Sequence, residues 1–179
     1  MDRGAGSYRR YLEGDEPAFE EIVKDFRDPL TNFIFGYTRD LQAAEDIAID
    51  VFAYLAANKR YNFKVTLKTY LYMLGRSRAI DYLRKRKRQT DVELSSVEDY
   101  ISEGYTPDEE ILRDERKKTV HNAISRLPEK MRTAIYLVYF EDMSYEDAAR
   151  VMKLSKKQID NLLYRARAEL RLIIGEEIF

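Results

Sequence analysis

The segment Ser144-Tyr-Glu-Asp-Ala-Ala-Arg-Val-Met-Lys-Leu-Ser155, followed directly by Lys156-Lys-Gln-Ile-Asp-Asn-Leu-Leu-Tyr-Arg-Ala-Arg167, decides the fold of this chain. Ser144 and Ser155 each stand where a side-chain oxygen can cap a new helix, and Gln158 can complete a capping box with Ser155. The alanine pair in the first half allows the two helices to cross closely. The short turn between such helices fits residues 152–154, so the segment predicts a helix-turn-helix.

The second helix of this motif has one apolar stripe and one polar face. The stripe consists of Ile159, Leu162, Leu163, Ala166 and Leu170, and we expect it to be buried. The opposite face is predicted to enter the major groove of DNA, although a plain helical hairpin with a polar exterior would show the same pattern. The predicted base-reading residues are Lys156, Lys157, Asp160, Asn161 and Tyr164, and the predicted phosphate contacts are Arg165, Arg167 and Arg171.

The remaining apolar residues also recur at spacings of three and four, which is typical of amphipathic helices. The sequence therefore predicts an all-α protein with two small helical domains joined by an acidic flexible linker, and no strand. The second domain is predicted to contain four helices, including the helix-turn-helix. The predicted boundaries are residues 8–88 for the first domain, 89–106 for the linker and 107–175 for the second domain, with helix starts near Pro17, Ala44, Thr66, Pro107, Pro128, Ser144 and Ser155.

The formal net charge of −1 conceals a strong segregation of charge along the chain. Residues 64–88 carry nine basic side chains and one acid, and residues 153–171 carry six basic side chains and two acids. Residues 91–110 carry eight acids and no base. This pattern favours two DNA contacts flanking an acidic connector, although solvated helix faces also produce charge runs. The acidic connector has two alternative roles. Either its negative charge lets it bind in a basic channel of a partner, or it is a solubilising tether.

Composition narrows the chemistry that the chain can perform. It contains no Cys and one His, His121, which no motif surrounds, so we expect no disulfide, no Cys-His zinc site and no enzymatic activity. No cofactor is predicted. The chain has no apolar run of about 18 residues, which predicts no membrane insertion, and no signal peptide is recognisable, which indicates a cytoplasmic protein.

Motifs spread over about residues 8–174 are similar to those of the extracytoplasmic-function (ECF) sigma factors of bacterial RNA polymerase. In the second half these motifs are Leu127-Pro128, Arg132, Ser144-Tyr145, Ala148-Ala149 and Arg165-Ala166-Arg167. In the first half they are Ala44-Glu45-Asp46, Tyr70-Leu71 and Asp81-Tyr82-Leu83-Arg84. Each motif alone is weak, but their order and spacing together are specific.

The resemblance implies that the helix beginning with Ala-Glu-Asp binds core RNA polymerase. The residues concerned are Glu45, Asp46, Asp50 and Ile49, the last standing where relatives usually have Gln. Acids in the first turn of a helix also favour its dipole by about 0.3–1 kcal/mol, so a purely structural role is the alternative.

The resemblance further implies that a loop and the basic helix after it read and melt the -10 element. Tyr61 and Phe63 are predicted to stack on unpaired bases, with burial in the core as the alternative for both. The candidate -10 residues are Lys59, Arg60, Tyr61, Asn62, Phe63 and Lys64 in the loop, and Arg76, Arg78 and Arg84 in the helix.

The sequence therefore predicts an ECF-type sigma factor that directs core polymerase to promoters for transcription initiation. Its expected partners are core RNA polymerase, double-stranded promoter DNA and the melted -10 strand, with an anti-sigma factor as a further candidate. A stand-alone helix-turn-helix regulator is the alternative. Such a regulator needs a dimer interface to align two recognition helices, and no spare apolar helix is evident in the sequence.

Overall fold

The computed structural model describes residues 2–89 and 115–175 of the 179-residue chain. The chain divides into two compact units, Met1–Glu98 and Asp99–Phe179. Every regular element in the described ranges is helical, which confirms the predicted all-α fold. Gln89, the first residue of the predicted linker, is the last residue of α4, and the rest of the linker, its acidic residues and the predicted helix start at Pro107 lie outside the described residues.

The first unit contains four helices in its described part. They are α1 (Arg3–Leu12), α2 (Pro17–Thr38), α3 (Leu41–Asn58) and α4 (Leu67–Gln89). The sequence predicted the last three and missed α1. This short helix is tied to the core by Tyr8, which is fully buried and donates a hydrogen bond of 3.3 Å from its hydroxyl to the carbonyl of Leu55. Tyr8 therefore anchors α1 to α3.

The core of the first unit lies where α2, α3 and α4 meet. Leu30, Ile34, Val51 and Leu71 are among its fully buried side chains. Gly75 lets α4 approach α2 closely, because a Cβ atom at this position would lie 3.0 Å from Cδ1 of Leu30. Within residues 2–89 and 115–175, no helix has both the length and the apolar character needed to cross a membrane.

The second unit contains α5 (Glu115–Ser125), α6 (Glu129–Ile135), α7 (Tyr145–Met152) and α8 (Lys156–Ile174). The predicted caps of the last two helices are confirmed. Oγ of Ser144 accepts a hydrogen bond of 3.1 Å from the amide of Asp147. Ser155 forms the predicted capping box with Gln158, and Gly175 ends α8 with a φ of 85°. These contacts satisfy helix amides that would otherwise have no partner.

The helix predicted to begin at Pro128 changes its geometry part of the way along. After α6 the backbone widens into a π-helical turn, Tyr136–Phe140, in which Leu137 is buried and Tyr139 and Phe140 are exposed. Arg132 is buried before this turn and donates a hydrogen bond of 2.9 Å to the carbonyl of Ser125. It thereby satisfies the carbonyl of the last residue of α5, which gives the arginine after Leu-Pro a structural role.

Candidate functional site

The helix α8 presents the polar face that the sequence predicted. Ile159, Leu163, Ala166 and Leu170 are buried, whereas Leu162 is only half-buried and lies at the edge of the stripe. Tyr164 is 70% exposed, so its ring is available to a partner. Exposed side chains on this helix include all but one of the predicted DNA contacts, namely Lys156, Lys157, Asp160, Asn161, Tyr164, Arg165 and Arg171; Arg167 is half-buried.

One of the predicted base-reading residues is engaged in an ion pair. Nζ of Lys156 lies 2.5 Å from Oε1 of Glu146, in the first turn of α7. The hydrogen bond lowers the pKa of Glu146 and raises the pKa of Lys156, and both charges remain in place. The pair joins the first turns of the two motif helices. A contact of Lys156 with another group would require this ion pair to open, whereas no ion pair to Lys157 is found within residues 2–89 and 115–175.

The turn between α7 and α8 depends on one residue in a left-handed conformation. Lys153, within the predicted turn, has a φ of 55° and a ψ of 44°. The amide of Leu154 then donates a hydrogen bond of 2.9 Å to the carbonyl of Ala149. Because Ala148 and Ala149 are buried, the two helices can pack closely. The helix-turn-helix is therefore formed, with about 1–2 kcal/mol of conformational strain at Lys153.

The acidic residues of α3 are not in its first turn, contrary to the prediction. Asp40 is the N-cap, and its Oδ1 accepts a hydrogen bond of 3.1 Å from the amide of Ala43. The first turn contains no acid, since Glu45 and Asp46 come later in the helix. The helix dipole acts only within the first turn, so capping does not explain these two acids.

Glu45, Asp46, Ile49 and Asp50 are all exposed, and Ile49 is 62% exposed. Glu45 and Ile49 are four residues apart, as are Asp46 and Asp50, which places the four side chains on one side of α3. An exposed isoleucine among carboxylates favours a protein partner with a basic and partly apolar surface over DNA, which would repel the acids. An open groove runs beside this face between α3 and α4, lined by Asp46, Asp50, Arg78, Asp81 and Lys85 among others.

Tyr61 is buried, which favours the core alternative over stacking on an unpaired base. Its side chain is only 4% exposed, and its hydroxyl donates a hydrogen bond of 2.7 Å to the carbonyl of Val65. Burial, followed by the nearby carboxylate of Asp2, raises the pKa of Tyr61, so the phenol stays protonated. Tyr61 is therefore a core residue that shapes the loop.

Phe63 remains accessible in the same loop. It is half-buried, its ring centroid lies 4.7 Å from that of Tyr61, and its φ is 60°. A left-handed conformation is rare for a bulky residue and persists only where the surroundings hold it. The other loop candidates, Lys59, Arg60, Asn62 and Lys64, are exposed. The loop therefore presents one aromatic side chain, held on a strained backbone, among polar and basic side chains.

The three candidate arginines of α4 are in different environments. Arg76 and Arg78 are half-buried, and the guanidinium of Arg78 lies 4.9 Å from the ring centroid of Tyr54. Arg84 is exposed and lies 3.6 Å from Asp81, an ion pair that contributes little at the surface. Tyr54 was not a sequence candidate, because its contact with Arg78 joins two different helices.

Comparison with known proteins agrees with both units. Residues 22–89 match the family described as Sigma-70 region 2, and residues 117–170 match Sigma-70, region 4. The chain is 33% identical over 170 residues to the RNA polymerase sigma-H factor of Pseudomonas aeruginosa, covering 88% of this chain and 86% of that protein. It is 26% identical to the ECF RNA polymerase sigma factor SigW of Bacillus subtilis, covering 91% of this chain and 92% of SigW.

Two solved structures share the fold. The sigma factor RpoE, in complex with the anti-sigma factor NepR from Bartonella quintana, aligns with a TM-score of 0.63 at 22% identity, over 89% of this chain and 98% of that one. CnrH, in complex with the cytosolic domain of CnrY, aligns with a TM-score of 0.61 at 20% identity, over 98% of both chains. The sequence motifs, the two helical units and the relatives, which match over most of their length, all agree. This chain belongs to the ECF family of RNA polymerase sigma factors.

Proposed function

We propose that this sigma factor, which directs core RNA polymerase to promoters, divides its work between its two units. Residues 8–88 bind core polymerase and read and melt the -10 element. Residues 107–175 read the -35 element, and residues 89–106 join the two activities. One observation carries the proposal: the chain exposes an acidic, partly apolar face on α3 and a basic, polar face on α8, which suit two chemically different partners.

The polymerase-binding surface is assigned to Glu45, Asp46, Ile49 and Asp50. Their exposure and the position of Asp40 as the cap of α3 support this assignment, because the acids have no capping role. A basic surface on the polymerase would meet the carboxylates, and an apolar side chain on it would cover Ile49. Opposite charges of this kind increase the rate of association and exclude wrong partners.

Recognition of the -35 element is assigned to the exposed face of α8. Lys157, Asp160, Asn161 and Tyr164 project from the N-terminal half of α8, where a recognition helix contacts base edges. Lys156 joins them once its ion pair with Glu146 opens. Arg165 and Arg167 lie further along the helix and contact phosphates, which contributes affinity without sequence preference.

Recognition of the -10 element is assigned to the loop that carries Phe63 and to α4. Phe63 supplies the stacking surface, in place of the Phe63 and Tyr61 pair that the sequence predicted. Lys59, Arg60, Asn62, Lys64, Arg76, Arg78 and Arg84 supply contacts to the backbone and to base edges. Capture of extruded bases drives strand opening, so the factor performs no chemistry itself. It acts in the cytoplasm. An anti-sigma factor, as in the RpoE complex, is a further candidate partner.

The proposal is tested by transcription with purified components. Core polymerase mixed with this chain should produce run-off transcripts from promoters selected out of a random library, and core polymerase alone should not. The stand-alone regulator predicts the opposite result, namely a dimer that binds specific duplex DNA without polymerase. Retention on immobilised core polymerase is then compared between the native chain and a variant substituted only at the α3 face. A loss of retention in that variant locates the polymerase contact.

A further inference from the structure

Arg9 of α1 lies against the loop assigned to the -10 element. Its guanidinium carbon is 4.9 Å from the centroid of the Phe63 ring. Arg9 is exposed and Phe63 is half-buried, so the contact is at the surface of the unit. No local pattern assigns a function to Arg9, because Arg9 and Phe63 are 54 positions apart in the chain.

The neighbouring arginine has a different role. Arg10 forms ion pairs with Glu21 and, at 3.4 Å, with Asp15. Within residues 2–89 and 115–175, no ion pair or hydrogen bond from the Arg9 guanidinium is found. The carboxylate of Asp2, which lies near Tyr61, accepts hydrogen bonds from the amides of Ala5 and Leu67. The helix α1 therefore uses one arginine for internal pairing and holds the other against an aromatic ring.

The contact with the Phe63 ring leaves the Arg9 guanidinium able to bind an anion. An aromatic ring attracts a cation through its quadrupole and leaves the N–H donors of the guanidinium unused. Those donors form a planar fork that matches two oxygens of a phosphate. Arg60 and Lys64 in the loop are also exposed, so Arg9 adds to a basic surface around Phe63.

We propose that Arg9 is a further nucleic-acid-binding residue, which contacts a phosphate of the single strand whose base is captured at Phe63. The inference rests on the proposed function, because that strand is exposed only when the polymerase opens a promoter. Phe63 and Arg9 then act together, since the ring stacks on the base and positions the cation beside the backbone of the same nucleotide. The helix α1 becomes part of the -10 surface.

The test uses holoenzyme and a promoter selected from a random library with the wild-type factor. Each phosphate of the -10 single strand is replaced in turn by a neutral methylphosphonate, and binding is measured with the wild-type factor and with Arg9→Gln. We expect one replacement to weaken the wild-type complex and to have no further effect on Arg9→Gln. The slope of log affinity against log salt concentration should fall by about 0.7 in Arg9→Gln, the value for one contact to a single strand.

The matched control is Arg10→Gln, which removes the same charge one residue away and should leave both the methylphosphonate profile and the salt slope unchanged. Arg9→Lys keeps the charge and should retain most of the slope, and melting curves followed by circular dichroism establish that each variant is folded. Equal methylphosphonate penalties in wild type and Arg9→Gln at every position, with equal salt slopes, would overturn the assignment. A wild-type factor that forms no holoenzyme or opens no promoter would instead reject the proposed function, and this inference with it.

Discussion

The hydroxyl of Tyr82 donates a hydrogen bond of 3.2 Å to Oδ2 of Asp40, the residue that caps α3. Tyr82 belongs to α4, so the bond links the basic helix to the start of the helix that presents the acidic face. The amide of Ala43 is the main cause that lowers the pKa of Asp40, and the Tyr82 hydroxyl lowers it further. Part of the Asp-Tyr-Leu-Arg motif is thereby explained as a structural contact.

The first prediction is that this cap stabilises the first unit in a pH-dependent way. Because the folded-state pKa of Asp40 is depressed, its contribution is present above the unfolded-state pKa and is lost as the pH falls through the folded value. Asp40→Ala should therefore lower the urea midpoint at about pH 7, and the difference from wild type should shrink toward about pH 3. Tyr82→Phe should show a smaller effect in the same direction. A difference that is independent of pH would show that the carboxylate charge is not involved.

The second prediction concerns the acidic face of α3. Glu45→Lys combined with Asp46→Lys should weaken binding to core polymerase by at least about tenfold, because like charges placed opposite each other in an interface cost several kcal/mol. Both residues are exposed, so the circular dichroism spectrum should not change. Glu20→Lys with Asp25→Lys, a charge-matched pair of exposed residues on α2, is the control. Full polymerase affinity in the α3 variant would remove the docking assignment.

The third prediction separates base reading from phosphate binding on α8. A selection on randomised -35 elements should return a changed consensus for Asp160→Ala, because a base-edge contact discriminates by about 1–3 kcal/mol. Arg165→Ala should return the wild-type consensus with uniformly weaker binding. An unchanged consensus for Asp160→Ala would remove Asp160 from the base-reading set.

The fourth prediction follows from the different burial of Tyr61 and Phe63. Phe63→Ala should reduce promoter opening by the equivalent of about 1–3 kcal/mol, the usual contribution of stacking on a base. Tyr61→Phe removes the hydrogen bond to Val65 and should lower thermal stability while leaving base capture per folded molecule unchanged. Opening is measured by the fluorescence of a base analogue in the -10 element. Normal opening with Phe63→Ala would exclude Phe63 as the stacking surface.

The fifth prediction concerns the eight acids of residues 91–110, which lie outside the described residues. If their charge lets the connector occupy a basic channel of the polymerase, replacing them by Ser, Asn and Gln at constant length should lower polymerase affinity and change the ratio of abortive to full-length RNA. A solubilising tether should tolerate the same replacement. Unchanged affinity together with an unchanged abortive ratio would exclude the channel.

Local chemistry made much of this protein predictable from its sequence. Ser144 and Ser155 cap amides three residues away, and the buried stripe of α8 repeats every three or four residues, so both signals lie within one turn or two. The all-helical fold, the helix-turn-helix and the membership of the sigma-factor family all follow from signals of this kind.

The tertiary structure alone decided the features that depend on distant contacts. Tyr8 holds α1 through a carbonyl 47 residues away, and Tyr61 is close to Asp2 across 59 residues, so no local pattern predicts that Tyr61 is buried or that α1 borders the loop. The cap of α3 was a local signal that the sequence prediction missed, because Asp40 accepts from the amide of Ala43 three residues away, and only its bond with Tyr82, 42 residues further along, depended on packing. Burial and partner choice are properties of the packed unit, since the free energy of removing a side chain from water depends on what covers it.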